Sequence, residues 1–446
     1  MRPEIIDLFS GCGGLALGFE KAGFEITHGI ELMPEAVKNI AYNMAWRYGR
    51  ETGHIKGDIT QMCPEVFDSE VGSGGCIVIG GPPCQAYSLA GRAKLRSLGK
   101  GKEHTRDARG YLYEDFLRFV YGLNAKAVVM ENVPESVAYD GKCIPQIVCD
   151  SLTEHGYIAH WSILNSANYG VPQVRERVIL IALRCDIAQN GNKAFRYPAP
   201  THKAPGGVVT ANEARMKGFD RYQGFVAPPK PSDDLPEWVT VGEALSDLPV
   251  LFPSYNSKYV ARKLNAELAY SSEPRNEFQR MMRDWYGERT ETVTGNFFRN
   301  NSRDFPIFAM MEQGANYVAA SELADSLVAK EIEMGSLSED DEATMEELRR
   351  DMVPVYDRTK FESKWKRLSS DKPSHTLVAH LGKDTYSHIH PTEPRGISVR
   401  EAARLQSFPD DYFFSCSSGD AYRQIGNAVP VLLSYAVAKA LKEVFD

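Results

Sequence analysis

The stretch Cys76-Ile77-Val78-Ile79-Gly80-Gly81-Pro82-Pro83-Cys84-Gln85-Ala86-Tyr87-Ser88 decides how this chain is read. Its first four residues form a short apolar run rich in β-branched side chains, the pattern of a buried strand. Two glycines and two prolines then end the strand and stiffen the turn that follows. Cys84 is thereby delivered just past the carboxyl end of a strand, where open α/β sheets carry their chemistry. It sits in a polar turn, not in an apolar core run, and a glycine-rich basic segment follows it. Cys84 is therefore a candidate nucleophile.

Outward from that stretch, strand patterns alternate with helical ones. Residues 4–9 read as a strand, and Ser10-Gly11-Cys12-Gly13-Gly14 as a tight turn. A helix follows with Leu15, Gly18, Phe19 and Ala22 on one face. Residues 25–30 give a second strand ending at Glu31, and Pro34 opens a helix carrying Ala36, Val37, Ile40 and Met44. Residues 55–59 give a third strand with Gly57-Asp58 at its end, and 127–130 a fifth that ends at Glu131-Asn132. Strands at 157–164 and 178–183 complete the set. This alternation predicts an α/β fold with a doubly wound, mostly parallel, Rossmann-like sheet. The character changes after Arg184, so residues 1–184, 185–394 and 395–446 are expected to be separate parts of the architecture. The middle part is smaller, irregular and rich in Pro, Gly and Asn, and its residues 321–350 read as a solvated helical hairpin. Ser398 is placed to cap a helix with Glu401 at the capping-box position.

The composition fits a soluble enzyme with a real core: 446 residues, 43% hydrophobic, mean hydropathy −0.35. No apolar run approaches the ~18 residues that span a bilayer. Met1 to Asp7 reads straight into a strand, so no signal peptide is expected. The eight cysteines form no CxxC pair, so free thiols in a reducing compartment are expected. The net charge of −8 is uneven: residues 312–351 alone hold twelve acids and three bases, a net of −9. Residues 91–109 carry +5 and residues 358–372 carry +4. Two basic patches on a near-neutral body suit a polyanionic partner.

At the amino-terminal end, a glycine turn between strand and helix lets backbone N–H groups approach a ligand closely. Glu31 follows Gly11 by 20 residues, the distance at which an acid can bond ribose hydroxyls. Asp58 can accept from an exocyclic amine, and Phe9 or Leu32 can lie against an adenine face. The turn is not G-x-G-x-x-G, which disfavours a pyrophosphate ligand and, with it, a nicotinamide-dependent oxidoreductase. A purely structural turn is the alternative.

Six stretches, in this order, resemble the motifs of DNA (cytosine-5)-methyltransferases of the prokaryotic restriction-modification type. They are Asp7-Leu8-Phe9-Ser10-Gly11-Cys12-Gly13-Gly14, Gly80 to Ser88, Glu131-Asn132-Val133, Gln173-Val174-Arg175-Glu176-Arg177, Arg404-Leu405-Gln406-Ser407-Phe408-Pro409 and Gln424-Ile425-Gly426-Asn427-Ala428-Val429-Pro430. The resemblance implies S-adenosylmethionine as methyl donor, S-adenosylhomocysteine as product, no metal, and a flipped cytosine in duplex DNA as acceptor. It implies Cys84 as nucleophile, Glu131 as the acid on the base, and Arg175 with Arg177 as the arginine pair. For the cofactor it implies Phe9, Ser10, Gly11, Cys12, Gly13, Gly14, Leu15, Glu31, Leu32, Asp58, Ile59, Gly80, Pro82, Leu112, Asn427, Ala428 and Val429. Residues 185–394 then occupy the place of a target-recognition domain, and 395–446 that of a hinge and return to the catalytic domain.

The chemistry explains these residue types. Attack of a thiolate on carbon 6 of cytosine makes carbon 5 nucleophilic, so the thiol needs nearby positive charge or N–H groups. Charge entering the ring must be absorbed at nitrogen 3, the work of a carboxyl with a raised pKa. The base must leave the stack first, and the glycines among basic side chains in residues 89–110 suit a lid that closes on a phosphate backbone. Ser88, Arg92, Lys94, Arg96, Lys360, Arg367 and Thr376 are candidate DNA contacts, with Lys364 and Lys372 beside them. Arg262, Arg275, Arg299 and Arg303 are weaker candidates for base readout. His388 and His390 are read as structural. Rival readings are the same chemistry on tRNA and a silent DNA-binding relative. A cytoplasmic monomer, nucleoid-associated through DNA binding, is expected, and whether a cognate restriction endonuclease acts separately is left open.

Overall fold

The computed structural model describes residues 3–67, 74–83, 111–190, 195–207, 214, 216–258, 263–338, 340–359, 364–381 and 386–446. The chain forms two compact units, one of Met1–Trp238 with Ala428–Asp446, the other of Val239–Asn427.

The first unit is built on a seven-stranded sheet: β1 Glu4–Leu8, β2 Ile26–Glu31, β3 Gly53–Lys56, β4 Cys76–Gly80, β5 Ala127–Asn132, β6 Tyr157–Asn165 and β7 Glu176–Arg184. Their order is β3-β2-β1-β4-β5-β7-β6. The strands from β3 to β5 pair in parallel, while β7 runs antiparallel to both of its neighbours. The winding reverses between β1 and β4, so a crevice opens past their carboxyl ends. One face buries Ile6, Leu8, Val78, Val128 and Met130 against Phe116, Phe119 and Val120 of the helix Leu112–Gly122. On the other side helix α1, Gly14–Lys21, packs against the carboxyl-terminal helix Val431–Phe445, where Ser434 Oγ donates to the carbonyl of Leu15.

The third strand is shorter than its sequence pattern and lies earlier. It ends at Lys56, and Asp58 caps a 3₁₀ turn, Ile59–Gln61, by accepting from Thr60 N at 3.1 Å. That local acceptor draws the backbone out of the ladder. Residues beyond 184 also stay with the sheet: Phe219, Tyr222 and Phe225 pack around Trp161 on β6, and Trp161 N donates to Gly224 O at 2.7 Å. The expected break at 184/185 therefore falls within this unit, whose last residue before the second unit is Trp238. Aromatic side chains spaced irregularly along a loop carry no periodic signal.

Among its described residues the second unit pairs two short strands, β8 Leu268–Ala269 and β9 Thr292–Val293. Its core gathers Phe252, Phe298, Phe305, Phe308, Trp365 and Ile389. The helix Tyr317–Glu333 adds Tyr317, Ala320 and Ala324 to that core, so half of the expected solvated hairpin is a packed element. Its companion Glu342–Met352 buries no side chain and fits the expectation. The capping box forms as expected on the helix Val399–Leu405. Residues 395–427 belong to this unit, so the expected segment 395–446 is divided after Asn427.

Candidate active site

The glycine turn lies at the switch point. Phe9 and Gly11 take left-handed backbone angles, φ 59° and 53°, and the Phe9 value is uncommon for a side chain of its bulk. Gly13, φ 82°, sits where a side chain would be strained, and a β-carbon there would stand 2.2 Å from Ile40 Cδ1, which would have to shift. One at Gly14 would stand 2.4 Å from the carbonyl oxygen of Val429. Glu31, at the end of β2, accepts from Gly11 N at 2.9 Å and from Met33 N at 2.8 Å, which fixes its carboxylate over the turn. Leu32 beside it is exposed, as is Asp58, while Phe9, Leu112 and Ala428 are half-buried and Cys12, Leu15 and Ile59 are buried. Ser10 Oγ is buried with no hydrogen-bond partner among the described residues. Glu31 as an oriented carboxylate, Ser10 Oγ as an unpartnered hydroxyl, and open space where Gly11 lacks a β-carbon fit a ligand with hydroxyl and amine groups at this turn.

The second half of the site is carried by β4, β5 and β7. Gly80 closes β4, and Gly81 follows so closely that a β-carbon on it would stand 2.9 Å from Glu131 Oε2. Asn132 Nδ2 lies 3.4 Å from the carbonyl oxygen of Pro82, which ties the proline turn to the end of β5. Glu131 is 9% exposed, and its Oε1 lies 2.7 Å from Arg177 Nε. Burial raises its pKa, and the charges of Arg177 and Arg175 only partly offset that. Arg175 is 2% exposed and donates to the carbonyl of Ala428 at 3.1 Å. Arg175 therefore braces the same Ala428-Val429 segment that packs on Gly14, and Arg177 braces Glu131.

The structure thus brings together Phe9 to Gly14, Glu31, Gly80, Pro82, Glu131, Arg175, Arg177, Ala428 and Val429. Asn427 is exposed at the end of the helix Ser418–Asn427 in the second unit. Cys84, Ser88, Arg92, Lys94, Arg96, Lys360 and the expected lid lie outside the described residues, as does Arg262. Arg367 is corrected: it is buried, and its guanidinium donates to the carbonyls of Phe308 at 2.6 Å and Pro391 at 3.1 Å, and also to that of Met311. It joins loops inside the second unit and offers nothing to a phosphate. Arg303 pairs with Asp304 at 2.7 Å, Lys364 Nζ lies 3.5 Å from the Tyr356 ring, and Thr376 is half-buried. His388 is buried and stacks on His375 at 4.0 Å. His390 faces Glu393 and Glu401, whose carboxylates are both bound by Arg395.

Four residues at or behind the site were not among the expected ones. Asp7 is an acid set between the apolar residues Ile5-Ile6 and Leu8 of β1, a signal legible in the sequence. Asn132 and the fully buried Gln173 sit inside quoted motifs, whereas His54 carried no signal of its own.

The chain matches the family described as C-5 cytosine-specific DNA methylase over residues 4–443. It is 50% identical over 445 residues to M.OihORF3336P of Oceanobacillus iheyensis, named as a type II methyltransferase, covering 99% of this chain and 95% of that one. It is 30% identical to the type II methyltransferase M.AgeI of Thalassovita gelatinovora, over 98% of this chain and 99% of that one. A crystal structure named as a prophage-encoded DNA modification methyltransferase of Escherichia coli has the same fold, with a TM-score of 0.64, 21% identity and coverage of 100% and 99%. This chain belongs to the C-5 cytosine-specific DNA methylases and is a DNA cytosine-5-methyltransferase.

Proposed function

We propose that the enzyme methylates carbon 5 of a cytosine flipped out of a specific duplex DNA sequence, by way of a transient bond between Cys84 Sγ and carbon 6. The observation that carries this reading is Glu131: a buried carboxyl with a raised pKa, within contact of the Gly81-Pro82 turn that leads to Cys84. A carboxyl whose pKa is raised shares a proton with nitrogen 3 more readily as the thiolate adds to carbon 6. S-adenosylmethionine, which the family uses and the turn at Phe9–Gly14 fits, supplies an electrophilic methyl group. Arg177 holds Glu131 in place, and Arg175 keeps the Ala428-Val429 segment against Gly14. Loss of the carbon-5 proton to a base then allows the Cys84 thiol to be eliminated.

Duplex DNA as substrate is supported by the family and by the type II names of the relatives. Incubation with methyl-labelled cofactor and either unmethylated plasmid DNA or bulk tRNA tests it. Label is expected in the DNA, and label confined to tRNA would reject the reading.

A further inference from the structure

Asp7, Gly29 and His54 are register partners on β1, β2 and β3, so their side-chain positions share one face of the sheet. Gly29 has no side chain, and the His54 ring lies over it. A β-carbon at Gly29 would stand 2.7 Å from His54 Cδ2 and 3.1 Å from Nε2. The ring reaches along the row toward Asp7. His54 Nδ1 has a partner in Thr52 Oγ1 at 2.7 Å. His54 Nε2 and Asp7 Oδ2 are both buried, and neither has a hydrogen-bond partner among the described residues. Two strand spacings of ~4.8 Å separate the two α-carbons. That span is short enough for an imidazole and a carboxyl to be joined through one water. On the opposite face His28 lies over Gly53 in the same manner, but its Nδ1 bonds Thr27 Oγ1 and its ring packs on Phe67.

We propose that Asp7 and His54 act as one proton-sharing pair across Gly29, joined by a buried water. The pair positions the carboxyl ends of β1 and β3, which carry the cofactor turn and Asp58. The Asp7 O–H donates to the water, the water donates to His54 Nε2, and His54 Nδ1–H donates to Thr52 Oγ1. The surroundings favour those protonation states. Burial, then the charge of Glu31, pushes the Asp7 carboxyl well above its usual range. Burial, then His28, pushes His54 down to about 4. Helix α2, Pro34–Tyr48, packs on β2 and β3; its buried polar residues are Asn39 and Asn43, with Arg47 and Tyr48 partly buried at its carboxyl end, where Tyr48 OH accepts from Ile26 N. The positioning role rests on the cofactor reading above, whereas the pair itself does not.

Nitrogen-15 NMR of cofactor-free protein labelled in histidine tests the pair. The expected result is a neutral His54 in the less common Nδ1–H form, converted toward Nε2–H in Asp7→Leu and retained in Asp7→Asn, whose amide still donates. An Nε2–H His54 in the unaltered protein would overturn the pair, whether or not Asp7→Leu folds. Calorimetric titration with S-adenosylhomocysteine tests the positioning role. His54→Leu is expected to weaken binding about tenfold, the loss of one hydrogen-bonded anchor, and unchanged affinity would overturn the role.

Discussion

Two buried carboxylates, each held by arginine, behave in opposite ways in the two units. Glu131 in the first unit has Arg177 Nε at 2.7 Å, and its pKa is raised. Glu401 in the second unit is bound by Arg395 Nη1 at 2.8 Å and Nη2 at 2.7 Å, and by Ser398 N at 2.6 Å. Burial pushes the Glu401 carboxyl up, but the Arg395 charge, then His390, then those donors hold it down at about 2. Both lie beside guanidinium, so proximity to arginine does not by itself set the outcome. The charges and donors gathered on each carboxylate, counted among the described residues, do. A saturated carboxylate is a fixed brace, and an under-supplied one can keep a proton for chemistry.

Substitutions sharpen this contrast. The largest effect is expected from Cys84→Ala, which should reduce methyl transfer to background while leaving duplex DNA binding measurable by gel shift. Next, Glu131→Gln should lower kcat by about 10²–10⁴-fold and change the melting temperature by only a few degrees. Glu401→Gln should reverse that pattern, because it leaves Arg395 with one carboxylate fewer. A loss of about 3–5 kcal/mol in denaturant unfolding is expected, with activity following the folded fraction. If Glu131→Gln destabilises as strongly as Glu401→Gln, the distinction between brace and acid fails.

The pH dependence separates the two carboxylates by sign. The folded pKa of Glu401 lies below its unfolded value of ~4.3. Its stabilising contribution is therefore complete above ~4.3 and is lost as pH falls toward about 2. Acid unfolding of the unaltered protein should be steeper in that window than that of Glu401→Gln. Glu131, with a raised folded pKa, contributes in the opposite sense: its stabilisation is present at low pH and is lost as pH rises through its folded pKa. The smallest effect concerns the corrected arginine. Arg367→Gln should lower stability but leave the salt dependence of DNA binding unchanged, whereas Lys94→Ala should reduce the salt slope by about one.

The sheet was legible because apolar strand runs repeat and end in chemical residues, as at Ile79-Gly80 and Met130-Glu131. The close approaches at the candidate site were legible for a related reason: glycines and prolines mark such places, and the contacts at Gly13, Gly14 and Gly81 have that geometry. The boundary after Trp238 was not legible, because Phe219, Tyr222 and Phe225 join the sheet through tertiary packing that leaves no period in the sequence. Arg367 misled for a similar reason. A lysine-rich stretch reads as a charged surface, yet this guanidinium satisfies carbonyls inside a loop-built core. The Asp7 and His54 relation depends on strand register, and register is a property of paired strands, not of either alone.

The most direct measurement is the position of the transferred methyl group. Unmethylated plasmid DNA would be incubated with methyl-labelled S-adenosylmethionine, digested to nucleosides and resolved by mass spectrometry, in parallel with Cys84→Ala. The account predicts label in 5-methylcytosine with the unaltered enzyme and none with Cys84→Ala. Label on an exocyclic nitrogen, or 5-methylcytosine formed equally by Cys84→Ala, would contradict it.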